Sequence, residues 1–216
     1  MSPARYLGRV EVSDGDAHDR VALPYGLTTI GIVGAIRELH AYLHAINTAS
    51  VEYGYGRLED FMQPAGFSGL VSNVIVRAVV RAAETANPGL ALNRHPNGRP
   101  DIVPRAVYPG DAVKRGSKGI EVKASRYRSG WQGHNAEPGW LLIVQFDIDT
   151  KTEPVYDRTP TNVSRVMCAS LDEKDWTFSG RREGSRRTPT ASINPNGLQK
   201  LEAGTVYARQ EVRLTY

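Results

Sequence analysis

A single cysteine, Cys168, stands in 216 residues, so no disulfide can close within one chain. A reducing, cytoplasmic setting is the expectation. The opening residues, MSPARYLGRVEVSDGDAHD, hold no apolar stretch of the kind that targets a chain for secretion. No apolar run approaches the roughly 20 residues that cross a bilayer, and no membrane role is expected. Also missing are a phosphate-binding loop, a GxGxxG after a strand and a serine elbow, which argues against a nucleotide-dependent or serine-based metabolic enzyme. No internal repeat or low-complexity segment is present, so solenoids and linkers are excluded as well.

What is there reads as one globular domain spanning 1–216. The length suffices for a substantial core but is short for two domains. Lys and Arg number 27 against 23 Asp and Glu, a formal charge of +4 that suits a polyanionic partner only if the basic residues cluster.

Residues 1–25 are polar and end on Pro24-Tyr25-Gly26, a turn signal. From Thr28, Ile32, Ile36, Leu39, Leu43 and Ile46 recur at helical spacing, which predicts an amphipathic helix over 28–50 capped by Thr28 or Thr29. A second helix is predicted from Ser68, with Leu70, Val74, Val76, Val79, Val80 and Ala83 as its apolar face and Asn87-Pro88-Gly89 as its stop. Strand patterns follow at 101–103, 119–125, 140–148, 163–171 and 205–215. The run WLLIVQFDI reads as a strand buried on both faces. The fold class is thus α/β, helices followed by a central mixed β-sheet. Residues 177–197 read as a loop or arm, carrying Arg181, Arg182, Arg186 and Arg187 among small residues.

The chemistry is concentrated in GIEVKASRYRSG. In a strand, Glu121 and Lys123 share one face while Ile120 and Val122 fill the other. If 101–103 lies beside 119–125, Asp101 and Glu121 converge on one point next to Lys123. Two carboxylates are hard oxygen ligands suited to Mg²⁺, and the Val122 carbonyl could add a third oxygen. Such an ion stabilises charge on a scissile phosphate, and a nearby ammonium can orient the nucleophile.

Pro100-Asp101 followed by Glu121-Val122-Lys123 resembles the signature of the PD-(D/E)XK nuclease superfamily, and the order of elements is similar. The resemblance covers roughly 30–150, leaving 160–216 as additional strands and a basic arm. It implies a restriction-endonuclease-like core, metal-binding roles for Asp101 and Glu121 and a catalytic role for Lys123. Members often add a carboxylate from a helix, for which Glu38, Glu52, Glu59 and Glu84 are candidates; Glu38 could equally pair with Arg37 or His40.

After the EVK comes a stretch of arginines, aromatics and amides. Arg126, Arg128, Gln132, His134 and Asn135 are candidate DNA contacts, because Arg can address guanine edges and Gln or Asn adenine. The basic arm at 181–187 is the second candidate surface. In the alternative reading the stretch is a surface loop whose Trp131 packs on the core. His40 and His44, four apart on a helix, have a zinc-ligand spacing but no clear third ligand, and are expected to be interfacial or solvent-facing. Cys168 reads as a small core residue.

A small chain of this kind looks most like a type II restriction endonuclease acting on double-stranded DNA as a homodimer. The alternatives are a repair or junction nuclease and a catalytically inert DNA-binding protein with the same fold.

Overall fold

The backbone of Thr28 is extended, and its side-chain oxygen accepts from the Gly31 N–H at 3.1 Å, satisfying one orphan donor of the first helical turn. The computed structural model describes residues 5–86, 89–129, 131–133, 136–179 and 190–215, without the side chains of 84–86. A two-residue strand, β1 (Arg9–Val10), precedes helix α1 (Thr29–Glu52), on which Ile32, Ile36, Leu39 and Leu43 are buried. Asn47 takes the next inward position in place of Ile46, which is only half-buried.

A four-residue helix not anticipated from the sequence, α2 (Leu58–Phe61), leads into α3 (Pro64–Ala86). Helix α3 starts before the expected Ser68, because Pro64 is preset for a first turn and the Phe67 N–H already donates to Gln63 O at 3.0 Å. Its buried stripe is Phe67, Val71, Ile75, Ala78 and Val79, whereas Leu70, Val74 and Val76 flank it. By length and composition, Pro64–Ala83 could cross a membrane, with a mean hydropathy of 1.3, contrary to the expectation that no such stretch exists. Its stripe nevertheless lies in one core with α1 and the sheet, where an interior helix needs the same apolar surface.

The remaining elements are β2 (Leu90–Leu92), β3 (Ile102–Pro104), β4 (Ile120–Ser125), β5 (Gln132–Gly133), β6 (Gly139–Asp147), β7 (Asn162–Leu171), β8 (Trp176–Phe178), β9 (Ala191–Ile193), α4 (Pro195–Ala203), β10 (Thr205–Ala208) and β11 (Leu214–Thr215). Six strands form a mixed sheet in the order β10-β7-β6-β4-β3-β2, and only β4 and β6 are parallel. The α/β expectation holds at this level. Residues 205–215 are two strands rather than one, since β10 joins the main sheet while β11 pairs with β1. Within the segment expected to be an arm, the described residues form regular structure: β8 and β9 pair, joined by β5 in a small sheet, and Asn194 caps α4 by accepting from the Gly197 N–H.

Alternation along β6 divides the interior. Leu142, Val144 and Phe146 pack against α1 and α3, while Leu141 and Ile143 pack with Trp131, Trp176, Ile193 and Leu201 under the small sheet and α4. This is the two-sided burial that the apolar run required. In the parallel register Glu121 lies beside Leu141 and Lys123 beside Ile143, so both charged residues face the small-sheet side.

Candidate active site

Antiparallel pairing of Ile102 with Ile120 sets Asp101 opposite Glu121. The Asp101 carboxylate accepts the Val122 N–H at 2.9 Å. In a strand the N–H and C=O of one residue point to the same edge, so the Val122 carbonyl shares the edge that Asp101 faces. Gly119 makes this closeness possible. It has φ +141°, and a Cβ there would sit 2.3 Å from both Ile102 O and Pro100 Cγ. Its N–H donates to the Tyr25 hydroxyl at 3.0 Å.

Asn93 holds the other side. Its amide donates to Pro100 O at 2.9 Å and Val113 O at 2.8 Å, its carbonyl accepts from Val113 and His95, and its own N–H donates to Asp101 O.

Lys123 Nζ lies 2.6 Å from Glu137 Oε2 and 3.4 Å from Glu121 Oε1, and the second Glu137 oxygen meets Arg99. Three carboxylates therefore share the site with two cations, and the side chains of Glu121, Lys123 and Glu137 are each less than one-fifth exposed. Burial, followed by the neighbouring Asp101 charge, pushes the Glu121 carboxyl up to about 7. Burial also raises Asp101, opposed by the Val122 hydrogen bond and by Lys123. The site opens onto a cleft of about 650 Å³ whose lining includes Arg99, Arg115, Glu121, Glu137, Trp140 and Asp172. A second groove of about 550 Å³ runs from Lys123 past Ser68 and Ser72 of α3 to Ser125, Tyr127 and Gln132.

The site therefore brings together Asp101, Glu121, Lys123 and the backbone of Val122. Arg126 and Arg128 are exposed beyond β4, with Arg126 stacked on the Tyr127 ring at 5.3 Å. Gln132 is exposed on β5 at the rim of the second groove. Trp131 is buried under the small sheet, its indole donating to Tyr127 O at 3.2 Å. His134, Asn135, Arg181, Arg182, Arg186 and Arg187 lie outside the described residues.

Among the helix glutamates, Glu38 pairs with Arg81 rather than Arg37 or His40, and Glu52 is exposed. Glu59 is buried elsewhere, accepting from Asn47 Nδ2 at 2.8 Å and the Thr161 N–H at 3.2 Å. The Glu84 side chain lies outside the described residues. The acidic residue that does join is Glu137, just ahead of β6. Nothing local in NAEPGW marks it; only the parallel pairing of β4 with β6 brings it to Lys123.

His40 is not solvent-facing. It is buried, its Nε2 accepts the Val163 N–H at 3.0 Å, and burial lowers its pKa to about 3, leaving a neutral core imidazole. Cys168 is a core thiol pushed up to about 12 by burial. Among the described residues no group of three or more His, Cys, Asp or Glu is placed to hold a metal ion. The oxygen donors free for a cation at this site are the carboxylates of Asp101 and Glu121, Glu137 being turned to Lys123 and Arg99.

No family model, curated protein or solved structure compared with this chain matches it.

Proposed function

We propose that this chain is a Mg²⁺-dependent deoxyribonuclease of the PD-(D/E)XK type, hydrolysing phosphodiester bonds in double-stranded DNA as a homodimeric, site-specific type II restriction endonuclease. One observation carries the reading: Asp101 and Glu121 oppose each other across the β3–β4 pair, with Lys123 two residues on, at the rim of an open cleft.

The donor set fits the ion. Mg²⁺ takes hard oxygens and commonly only one or two protein carboxylates. Asp101 and Glu121 would hold it, with the Val122 carbonyl on the same edge. Both carboxyls are raised by burial, so keeping the pair ionised costs free energy that a bound cation would offset. When bound, Mg²⁺ supplies charge stabilisation at a phosphoryl oxygen and lowers the pKa of a bound water.

The chain's own residues do the rest. Lys123, held between Glu121 and Glu137, presents an ammonium that orients the attacking water and offsets charge on the phosphate in the transition state. Glu137 is a positioning residue, fixing Lys123 on one side and Arg99 on the other. Arg126, Arg128 and Gln132 stand where strand β4 emerges and can address bases or phosphates.

The test is incubation with supercoiled plasmid and Mg²⁺, comparing wild type with Asp101→Ala and Lys123→Ala. Discrete fragments lost in both variants are the expected result. Binding without cleavage would instead assign an inert DNA-binding protein, and a smear a nonspecific nuclease.

A further inference from the structure

Residues 93–119 hold six Lys or Arg and two Asp, a net +4 equal to that of the whole chain; the other residues, from totals of 27 and 23, hold 21 of each sign. The segment wraps β3 and forms a wall of the cleft: Arg99, Arg115, Gly116, Ser117 and Gly119 line it together with Glu121 and Glu137.

The wall is tightly built. Asn93 makes the hydrogen bonds described above, and the Arg99 N–H donates to Lys114 O at 3.1 Å while the Gly116 N–H donates to Arg99 O at 2.7 Å. The Tyr108 hydroxyl bonds both the N–H and the carbonyl of Lys118. Gly98 and Gly116 have no room for a side chain, since a Cβ would fall 2.4 Å from Val113 O at the first and 2.6 Å from the Tyr108 hydroxyl at the second.

On this frame Arg94, Lys114, Arg115 and Lys118 are exposed, and none forms an ion pair with a described residue. Several basic residues elsewhere are paired, such as Arg37 with Asp14, Arg158 with Asp60 and Lys200 with Asp175, while Arg126 and Arg128 beyond β4 are exposed like those of the wall. Unpaired cations on a preordered loop lose little conformational freedom on meeting an anion, and their partner must itself be polyanionic to use several at once.

We infer that the 93–119 wall is the docking surface for the phosphate backbone of duplex DNA, with Lys114, Arg115 and Lys118 contacting phosphates that flank the scissile one. The inference rests on the nuclease reading for its choice of DNA, and it assigns the sequence-independent part of binding to a surface separate from the 126–135 loop and the arginine arm. Duplex contact is favoured over single-strand contact because the wall offers cations without a row of exposed stacking rings; Tyr108, its one Tyr, Phe or Trp, has its hydroxyl bound to Lys118.

The experiment is fluorescence anisotropy with a 30-base-pair duplex at several salt concentrations and no divalent ion. It compares wild type, the neutralising variant Lys114→Ala/Arg115→Ala/Lys118→Ala and the charge-keeping variant Lys114→Arg/Arg115→Lys/Lys118→Arg. Neutralisation should reduce the slope of log Kd against log salt by about 2–3, at roughly 0.9 per phosphate contact. The charge-keeping variant should retain the wild-type slope, which separates lost charge from a damaged loop. Equal slopes in wild type and the neutralised variant would overturn the inference, as would an equal loss of slope in the charge-keeping variant. Wild type that binds through this wall yet leaves plasmid intact with Mg²⁺ would sink the nuclease reading while the inference stands, and wild type that binds no duplex at low salt would sink both.

Discussion

Two clusters of buried charge in this molecule differ in kind. Around α2, Arg57 is enclosed: its guanidinium stacks on the Tyr6 ring at 4.3 Å and lies 3.2 Å from Asp60 and 3.6 Å from Glu59. Every carboxylate there has close partners, with Tyr6 donating to Asp60 at 2.6 Å, and Asn47 and the Thr161 N–H donating to Glu59. Arg158 closes the cluster from the loop before β7. At the cleft, by contrast, Glu121 has only a 3.4 Å contact with Lys123, and burial pushes two carboxyls toward their neutral forms. A cluster whose buried carboxylates are all closely hydrogen-bonded anchors chain segments to one another. Carboxyls raised by burial beside an open cleft mark a candidate site, and that difference separates it from a structural ion network.

Single substitutions should sharpen the contrast. The largest effect is expected at the cleft, where Lys123→Ala should lower plasmid cleavage about 1,000-fold, as for loss of a transition-state charge partner, in a variant that urea unfolding shows is still folded at the assay temperature. Near-wild-type cleavage would remove Lys123 from the chemistry.

Next is Arg57→Ala, which takes the guanidinium from buried Glu59 and leaves Asp60 to Arg158 alone, and should cost about 3–5 kcal/mol in urea unfolding. A loss under about 1 kcal/mol would show that this network is not the anchor its hydrogen bonds suggest.

Glu121→Gln should act in the opposite direction. The folded pKa of about 7 exceeds the ordinary 4.5, so the fold binds a proton that the unfolded chain releases, and stability falls as pH rises between those values. At pH 8 with chelator, the variant should be more stable than wild type by about 1–3 kcal/mol, with the gain gone below about pH 4.5. Equal unfolding curves at pH 8 would mean that the carboxylate is well compensated. The smallest effect is expected for Glu137→Gln, which loosens Lys123 without removing it: kcat should fall about tenfold with KM unchanged. A changed KM alone would assign Glu137 to substrate binding instead.

Local pattern made much of this legible. Thr28 as a cap, the helical stripe from Ile32 to Leu43, and β4 and β6 all follow from side-chain period and from groups that must be capped. The opposition of Asp101 and Glu121 was also within reach, because consecutive strands tend to pair. Where local signals compete, the reading shifted: Pro64 started α3 before Ser68, and α3 turned toward the sheet the stripe through Phe67 and Val71. The small sheet was illegible because it gathers strands of two or three residues from 132, 176 and 191, each too short to show a period. The sequence around His40 suits a surface group, but the Val163 N–H donates to it from 123 positions away.

By itself the sequence determined which stretches could become helix or strand and which residue types could do metal-assisted chemistry, because these depend on backbone sterics, side-chain period and functional groups carried within a few residues. Tertiary structure alone decided that Glu137 reaches Lys123, that Glu59 does not reach the site, and that Arg99 and Arg115 line the cleft beside Glu121. The reason is physical: ion pairing and desolvation depend on distances through space, and those distances were set by the register of strands and the packing of two cores rather than by spacing along the chain.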